Sequence, residues 1–82
     1  MENHLEFING QFNLGYMNEN GQGVAQDYAE AVRLYLLAAE QGHASAQNNL
    51  GYMYEKGLGV AQDYAEAVRL YRLADAQGAL PS

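Results

Sequence analysis

The chain has 82 residues and no Cys. That is enough for one domain with a modest core, worth roughly 3–5 kcal/mol at this size without staples; neither a disulfide nor a Cys/His metal site is available to add to it. Four Lys and Arg against ten Asp and Glu give a formal charge of −6, the wrong sign for nucleic-acid phosphates or an anionic membrane and suited to a neutral or basic partner.

No apolar run approaches the roughly 18 residues of a membrane span. The opening residues MENHLEFING carry neither the basic nor the apolar region of a signal peptide. The expectation is a cytoplasmic chain with no membrane and no nucleic-acid partner. His4 and His43 lie far apart without ligand spacing and read as surface or helix-end residues.

In chain order, a first helical stretch runs up to Gly21. The segment GQGVAQ at 21–26 then forms a turn, with Gly ending the helix and Val24 plugging the turn. Residues 27–41, DYAEAVRLYLLAAEQ, are the clearest helix: Tyr28, Ala31, Val32, Tyr35, Ala38 and Ala39 share one apolar face, widened by Leu34 and Leu37. Asp27 is the expected N-cap, with Glu30 three residues on as in a capping box, and Gly42 suits the left-handed position after the helix. A further helix is expected over 43–57, HASAQNNLGYMYEKG, packing through Ala46, Leu50, Met53 and Tyr54. Gly51 within it costs about 1 kcal/mol relative to Ala. It recurs as Gly15, so close helix approach, against Ala67 and Ala31, is the expected compensation. GLGVAQ at 57–62 repeats the turn with Val60, and the last helix follows at 63–77, with Asp63 and Glu66 at its start and Gly78 after its end. Glu30–Arg33, Glu66–Arg69 and Arg72–Asp75 have the i,i+3 spacing of helix-surface ion pairs.

This order of elements repeats. Residues 11–42 align with 47–78 at an offset of 36; of the 32 pairs only 12/48, 18/54, 20/56, 22/58, 36/72, 39/75 and 40/76 differ. A period of this length marks a repeat architecture in which each unit buries its apolar face against its neighbours. Unit 1 covers about 5–42, unit 2 about 43–78, and 79–82 are a tail, all within a single domain over 1–82. The predicted fold is all-α: a right-handed α/α superhelix, or solenoid, of two helix-turn-helix repeats with four main helices and short antiparallel connections.

The pattern A-x-A-Q-x-x-L-G-x-x-Y-x-x-G-x-G-V-x-x-D-x-x-x-A-x-x-x-Y-x-x-A-x-x-Q-G runs through 44–78. It resembles the Sel-one-like repeat, a relative of the tetratricopeptide repeat. Ala44, Ala46, Gln47, Leu50, Gly51, Tyr54, Gly57, Gly59, Val60, Asp63, Ala67, Tyr71, Ala74, Gln77 and Gly78 carry the resemblance, and unit 1 matches from Gln11 to Gly42. The resemblance implies an α-solenoid scaffold that binds other proteins, of a kind found in bacterial and signalling assemblies. The sequence departs from the pattern at Asn18, where unit 2 has Tyr54, and at Ile8 and Gly10, where unit 2 has Ala44 and Ala46.

Catalytic readings fail on spacing. No strand precedes the G-x-G pairs and no Lys-Ser/Thr follows them, so they are turns rather than phosphate loops. Ser45 lacks the Lys of an S-x-x-K nucleophile, Ser82 is the last residue, and the carboxylates have the spacing of solvated helix faces. The expectation is no enzyme and no cofactor. Tyr28, Tyr35, Tyr64 and Tyr71 fall at core positions. By analogy with tetratricopeptide repeats, Asn9, Phe12, Tyr16, Glu19 and Asn20 of unit 1 and Ser45, Asn48, Tyr52, Glu55 and Lys56 of unit 2 face a concave side. There Tyr and Asn suit the recognition of a partner's peptide or helix. The other reading is self-association: no unit follows helix 63–77 in this sequence, and end-to-end stacking or helix exchange with a second chain would cover its open face.

Overall fold

The computed structural model describes residues 4–77. These form α1 (His4–Asn20), α2 (Tyr28–Glu40), α3 (Ala44–Lys56) and α4 (Tyr64–Ala76). Helix α1 packs on α2, α3 on α4, and α2 on α3. This is an all-α solenoid of two helix-turn-helix units; Gly78 and the tail at 79–82 lie outside the described residues.

The helix ends follow from local chemistry. The Asp27 carboxylate accepts from Glu30 N, and Asp63 from Glu66 N, each at 3.1 Å. The reciprocal half of the expected capping box is absent. The Asp27 and Asp63 amides donate to the carbonyls of Asn18 and Tyr54 instead, which ties each second helix to the first helix of its own unit. Glu30 and Glu66 are then free to pair with Arg33 and Arg69. Arg72 and Asp75 form no ion pair among the described residues, contrary to their spacing.

Glycine supplies the left-handed backbone the turns need: Gly57 ends α3 at φ 70°, and its amide returns to Met53 O. His43 starts α3, its Nδ1 accepting from Ala46 N at 3.1 Å.

The core is built at the junction of the units. Ile8, Ala31, Tyr35, Ala38, Ala39, Ala46, Leu50, Met53 and Leu70 form one buried cluster. Alanines on facing positions of α2 and α3 let the helices approach, and Leu50 and Met53 fill the space, each worth roughly 1.5–3 kcal/mol on full burial. Gly15 and Gly51 do permit close packing, but chiefly against aromatic rings. A Cβ at Gly15 would stand 2.9 Å from the Tyr35 ring, with Leu34 next at 3.3 Å, and one at Gly51 2.8 Å from the Tyr71 ring, with the Ala67 carbonyl at 3.3 Å. Of the four tyrosines expected in the core, Tyr35 is buried, Tyr28 and Tyr71 are half-buried, and Tyr64 is exposed. The difference is positional. The turn of unit 2 packs over the start of α2, so that Gly59 lies against the backbone of Tyr28, whereas nothing among the described residues does the same for Tyr64. Val60 likewise packs against the core while Val24, its counterpart, is exposed.

Candidate functional site

The residues expected on the concave side sit on α1 and α3, and internal bonds already engage several of them. The Tyr35 hydroxyl donates to Glu19 Oε1 at 2.5 Å and accepts from Asn49 Nδ2 at 3.2 Å, so one phenol joins α1, α2 and α3. In unit 2 the Tyr71 hydroxyl donates to Glu55 Oε1 at 2.7 Å. Burial, reinforced by the carboxylate acceptor, pushes the Tyr71 phenol up to about 12 and holds that of Tyr35 well above its ordinary value. Glu19 and Glu55 are therefore positioned by tyrosines.

Two further members of the set are committed to the junction. Phe12 is half-buried, its ring 4.8 Å from that of His43 and 5.8 Å from that of Tyr35. Asn9 Oδ1 lies 2.9 Å from His43 Nε2. Since His43 Nδ1 accepts from the Ala46 amide, Nε2 carries the proton and donates to Asn9. Burial lowers the His43 pKa and favours this neutral form. Asn20 Nδ2 returns to the Tyr16 carbonyl, and Ser45 is exposed.

Tyr16 and Tyr52 remain. They occupy equivalent positions and are 46% and 43% exposed. The Lys56 ammonium sits 5.9 Å from the Tyr52 ring centre and 4.0 Å from Glu55. Asn48 is half-buried and lines, with Val68, Tyr71, Arg72 and Asp75, an open hollow of about 360 Å³ against α4. The set expected from sequence thus divides. Tyr16 and Tyr52 present exposed ring surface and Lys56 an exposed cation beside Glu55, Asn48 borders a hollow, Asn9 and Phe12 meet His43 across the junction, and Glu19 and Glu55 each hold a tyrosine of their own unit.

Sequence reasoning missed the residues that join the units. Gln47 is buried and donates to Ala39 O at 3.1 Å, while its Oε1 accepts from Gln77 Nε2. Asn49 and His43 complete the joint. The retention of Gln11/Gln47 and Asn13/Asn49 in both units was the signal available, since a polar residue kept by a repeat serves its assembly. Three or more His, Cys, Asp or Glu do not gather into a metal-binding group among the described residues, and no helix there is long and apolar enough to cross a membrane.

The Sel1 repeat family model matches residues 8–43 and 44–78. Among solved structures, the chain is similar to c5321, a protective antigen present in uropathogenic Escherichia coli strains that displays an SLR fold. The two are 47% identical with a TM-score of 0.87, over 92% of this chain and 16% of that one. It is also similar to a Sel1 repeat protein from Oxalobacter formigenes, 46% identical with a TM-score of 0.84, over 85% of this chain and 29% of that one. The chain thus spans less than a third of the length of either. No curated protein matches it.

Proposed function

The chain belongs to the Sel1 repeat family, and on that premise we propose that it is a non-catalytic protein-interaction module whose α1 and α3 surfaces hold an extended peptide or a helix of a partner protein. Sel1 repeat proteins are generally protein-interaction scaffolds. The observation that carries the finer reading is the pair Tyr16 and Tyr52. Both units keep a large aromatic side chain about half exposed at the equivalent position. Each stands beside a tyrosine–glutamate bond that stiffens its surroundings, and a rigid, amphipathic ring of this kind loses little entropy on binding. Lys56 adds one cation, while the formal charge of −6 favours a partner segment that is neutral or basic overall.

Peptides selected from a random display library against the folded chain provide the test. The expected result is that they perturb the amide resonances around Tyr16 and Tyr52, and that Tyr52→Ala weakens them about 30-fold, the equivalent of a hot-spot loss of about 2 kcal/mol. A folded Tyr16→Ala/Tyr52→Ala variant that binds every selected peptide unchanged refutes the assignment.

A further inference from the structure

The two units carry the same cluster of an exposed tyrosine and a tyrosine-bonded glutamate, and only one of the two clusters has a cation of its own. In unit 2 the Glu55 carboxylate accepts the Tyr71 phenol on Oε1, and its Oε2 lies 4.0 Å from the Lys56 ammonium. That ammonium also stands over the Tyr52 ring, 5.9 Å from its centre. One cation is thus placed between a carboxylate and an aromatic face. Unit 1 repeats the carboxylate and the ring. Glu19 Oε1 accepts the Tyr35 phenol, and Tyr16 stands where Tyr52 does, 46% exposed against 43%. After burial and the carboxylate, the phenols of Tyr16 and Tyr52 also help to raise the pKa of Tyr35 and Tyr71, so each exposed ring lies close to the bonded tyrosine of its unit. The cation is what differs. Asn20 stands in the place of Lys56, and its Nδ2 turns back to the Tyr16 carbonyl. Glu19 forms no ion pair among the described residues, and the last turn of α1 has no basic residue to set against its carbonyls. The exposure of the rings belongs to their position in the repeat: Tyr52 keeps it with a unit packed before it, and Tyr16 with a unit packed after it.

Given the partner-binding role proposed for the α1 and α3 surfaces, on which this rests, we propose that Tyr16 and Glu19 form a receptor for one cationic side chain of the partner segment, an arginine or a lysine, which takes the place that Lys56 fills in unit 2. Charge complementarity selects this occupant. A half-buried carboxylate held by a phenol, beside an exposed aromatic face, gives a cation two attractions at once. The formal charge of −6 draws the same cation in from a distance. A neutral side chain gains neither, and an acidic one is repelled. The single vacancy also gives the bound segment a direction. Its basic residue belongs at unit 1. At unit 2 Lys56 already serves the carboxylate and the ring, so a second basic residue there meets like charge and a neutral or apolar one is preferred. Asn20 and Lys56 are therefore the residues that tell the two clusters apart, and exchanging them should exchange the preference.

The test is a titration of the full chain with Nα-acetyl-arginine amide and with its neutral isostere, Nα-acetyl-citrulline amide, followed through the ring resonances of Tyr16 and Tyr52. At Tyr16 the wild-type chain should bind the arginine amide about 3- to 10-fold more tightly than the citrulline amide, the combined worth of an exposed cation–π contact and an exposed ion pair. Tyr52 should show no such preference. Asn20→Lys should abolish the preference at Tyr16, and Lys56→Asn should create one at Tyr52. Both substitutions are at exposed helix ends and install the residue that the other unit already carries there, so the fold tolerates them. Equal binding of the two amides at Tyr16 overturns the proposal. So does a Tyr16 preference that survives Asn20→Lys, or a Tyr52 that gains none from Lys56→Asn. The two proposals fail separately. Selected peptides that need Tyr16 and Tyr52 but contain no arginine or lysine leave the peptide surface standing and overturn the cation receptor. An arginine preference at Tyr16, in a chain whose selected peptides bind elsewhere, supports the receptor and refutes the peptide surface.

Discussion

Gly23 and Gly59 form a matched pair that isolates the docking of one unit on the other. Both are the second glycine of the same turn, at φ 75° and 73°, so Ala at either position carries the same left-handed backbone penalty of roughly 1–2 kcal/mol. They differ in what a Cβ would meet. At Gly23 the nearest atom is the Met17 methyl at 3.6 Å, an ordinary contact at the end of a flexible chain. At Gly59 the Cβ would stand 2.5 Å from the Tyr28 carbonyl oxygen and 2.6 Å from its carbon. These are backbone atoms in the first turn of α2, and they cannot rotate aside. Either the turn or the whole of unit 2 must retreat, which adds an overpacking cost of roughly 1–3 kcal/mol. Gly59→Ala is therefore expected to cost roughly 2–5 kcal/mol in all, a large part of the stability of a chain this small. Urea denaturation followed by circular dichroism reads the difference. With a slope near 1 kcal/mol/M for a small protein, the Gly59→Ala midpoint should fall about 1–3 M below that of Gly23→Ala. Midpoints that agree within about 0.5 M would refute the reasoning, because the turn glycines would then serve only their own backbone conformation.

Gly15→Ala should destabilise more than Gly51→Ala, although both gain about 1 kcal/mol of helix propensity. The Tyr35 ring facing Gly15 is fully buried and held by Glu19 and Asn49, whereas the Tyr71 ring facing Gly51 is half-buried and bonded to Glu55; equal midpoints in urea would contradict this. Stability should also fall as pH drops below about 6.5, the ordinary histidine value. Burial lowers the His43 pKa, so at that pH the unfolded chain binds a proton that the folded chain resists, and stability rises with pH across the window. Protonation at Nδ1 would also remove the acceptor that holds the Ala46 amide. His43→Asn puts a capping oxygen in place of Nδ1 and should flatten the pH dependence between pH 5 and 7; an unchanged slope would place its origin elsewhere.

The sequence by itself determined the helices, their order and the repeat. An apolar face every three or four residues, an Asp whose carboxylate caps three residues on, and glycines where φ must be positive are all local demands, and local residues meet them. Tyr16 and Tyr52 are reached by analogy with tetratricopeptide repeats, which puts them on a concave side. The tertiary structure decided which polar residues had a second task. Glu19 and Glu55 look like solvated helix residues until the phenols of Tyr35 and Tyr71, sixteen positions away, are brought to them. Phe12 and Asn9 look like binding-face residues until His43 arrives from the next unit, 34 positions on from Asn9. It also separated residues that the repeat makes identical: Tyr28 packs where Tyr64 is exposed, and Leu50 is buried where Leu14 is not. A periodic sequence specifies each unit's surface, but burial depends on whether a neighbour covers that surface, and this is a property of position in the stack.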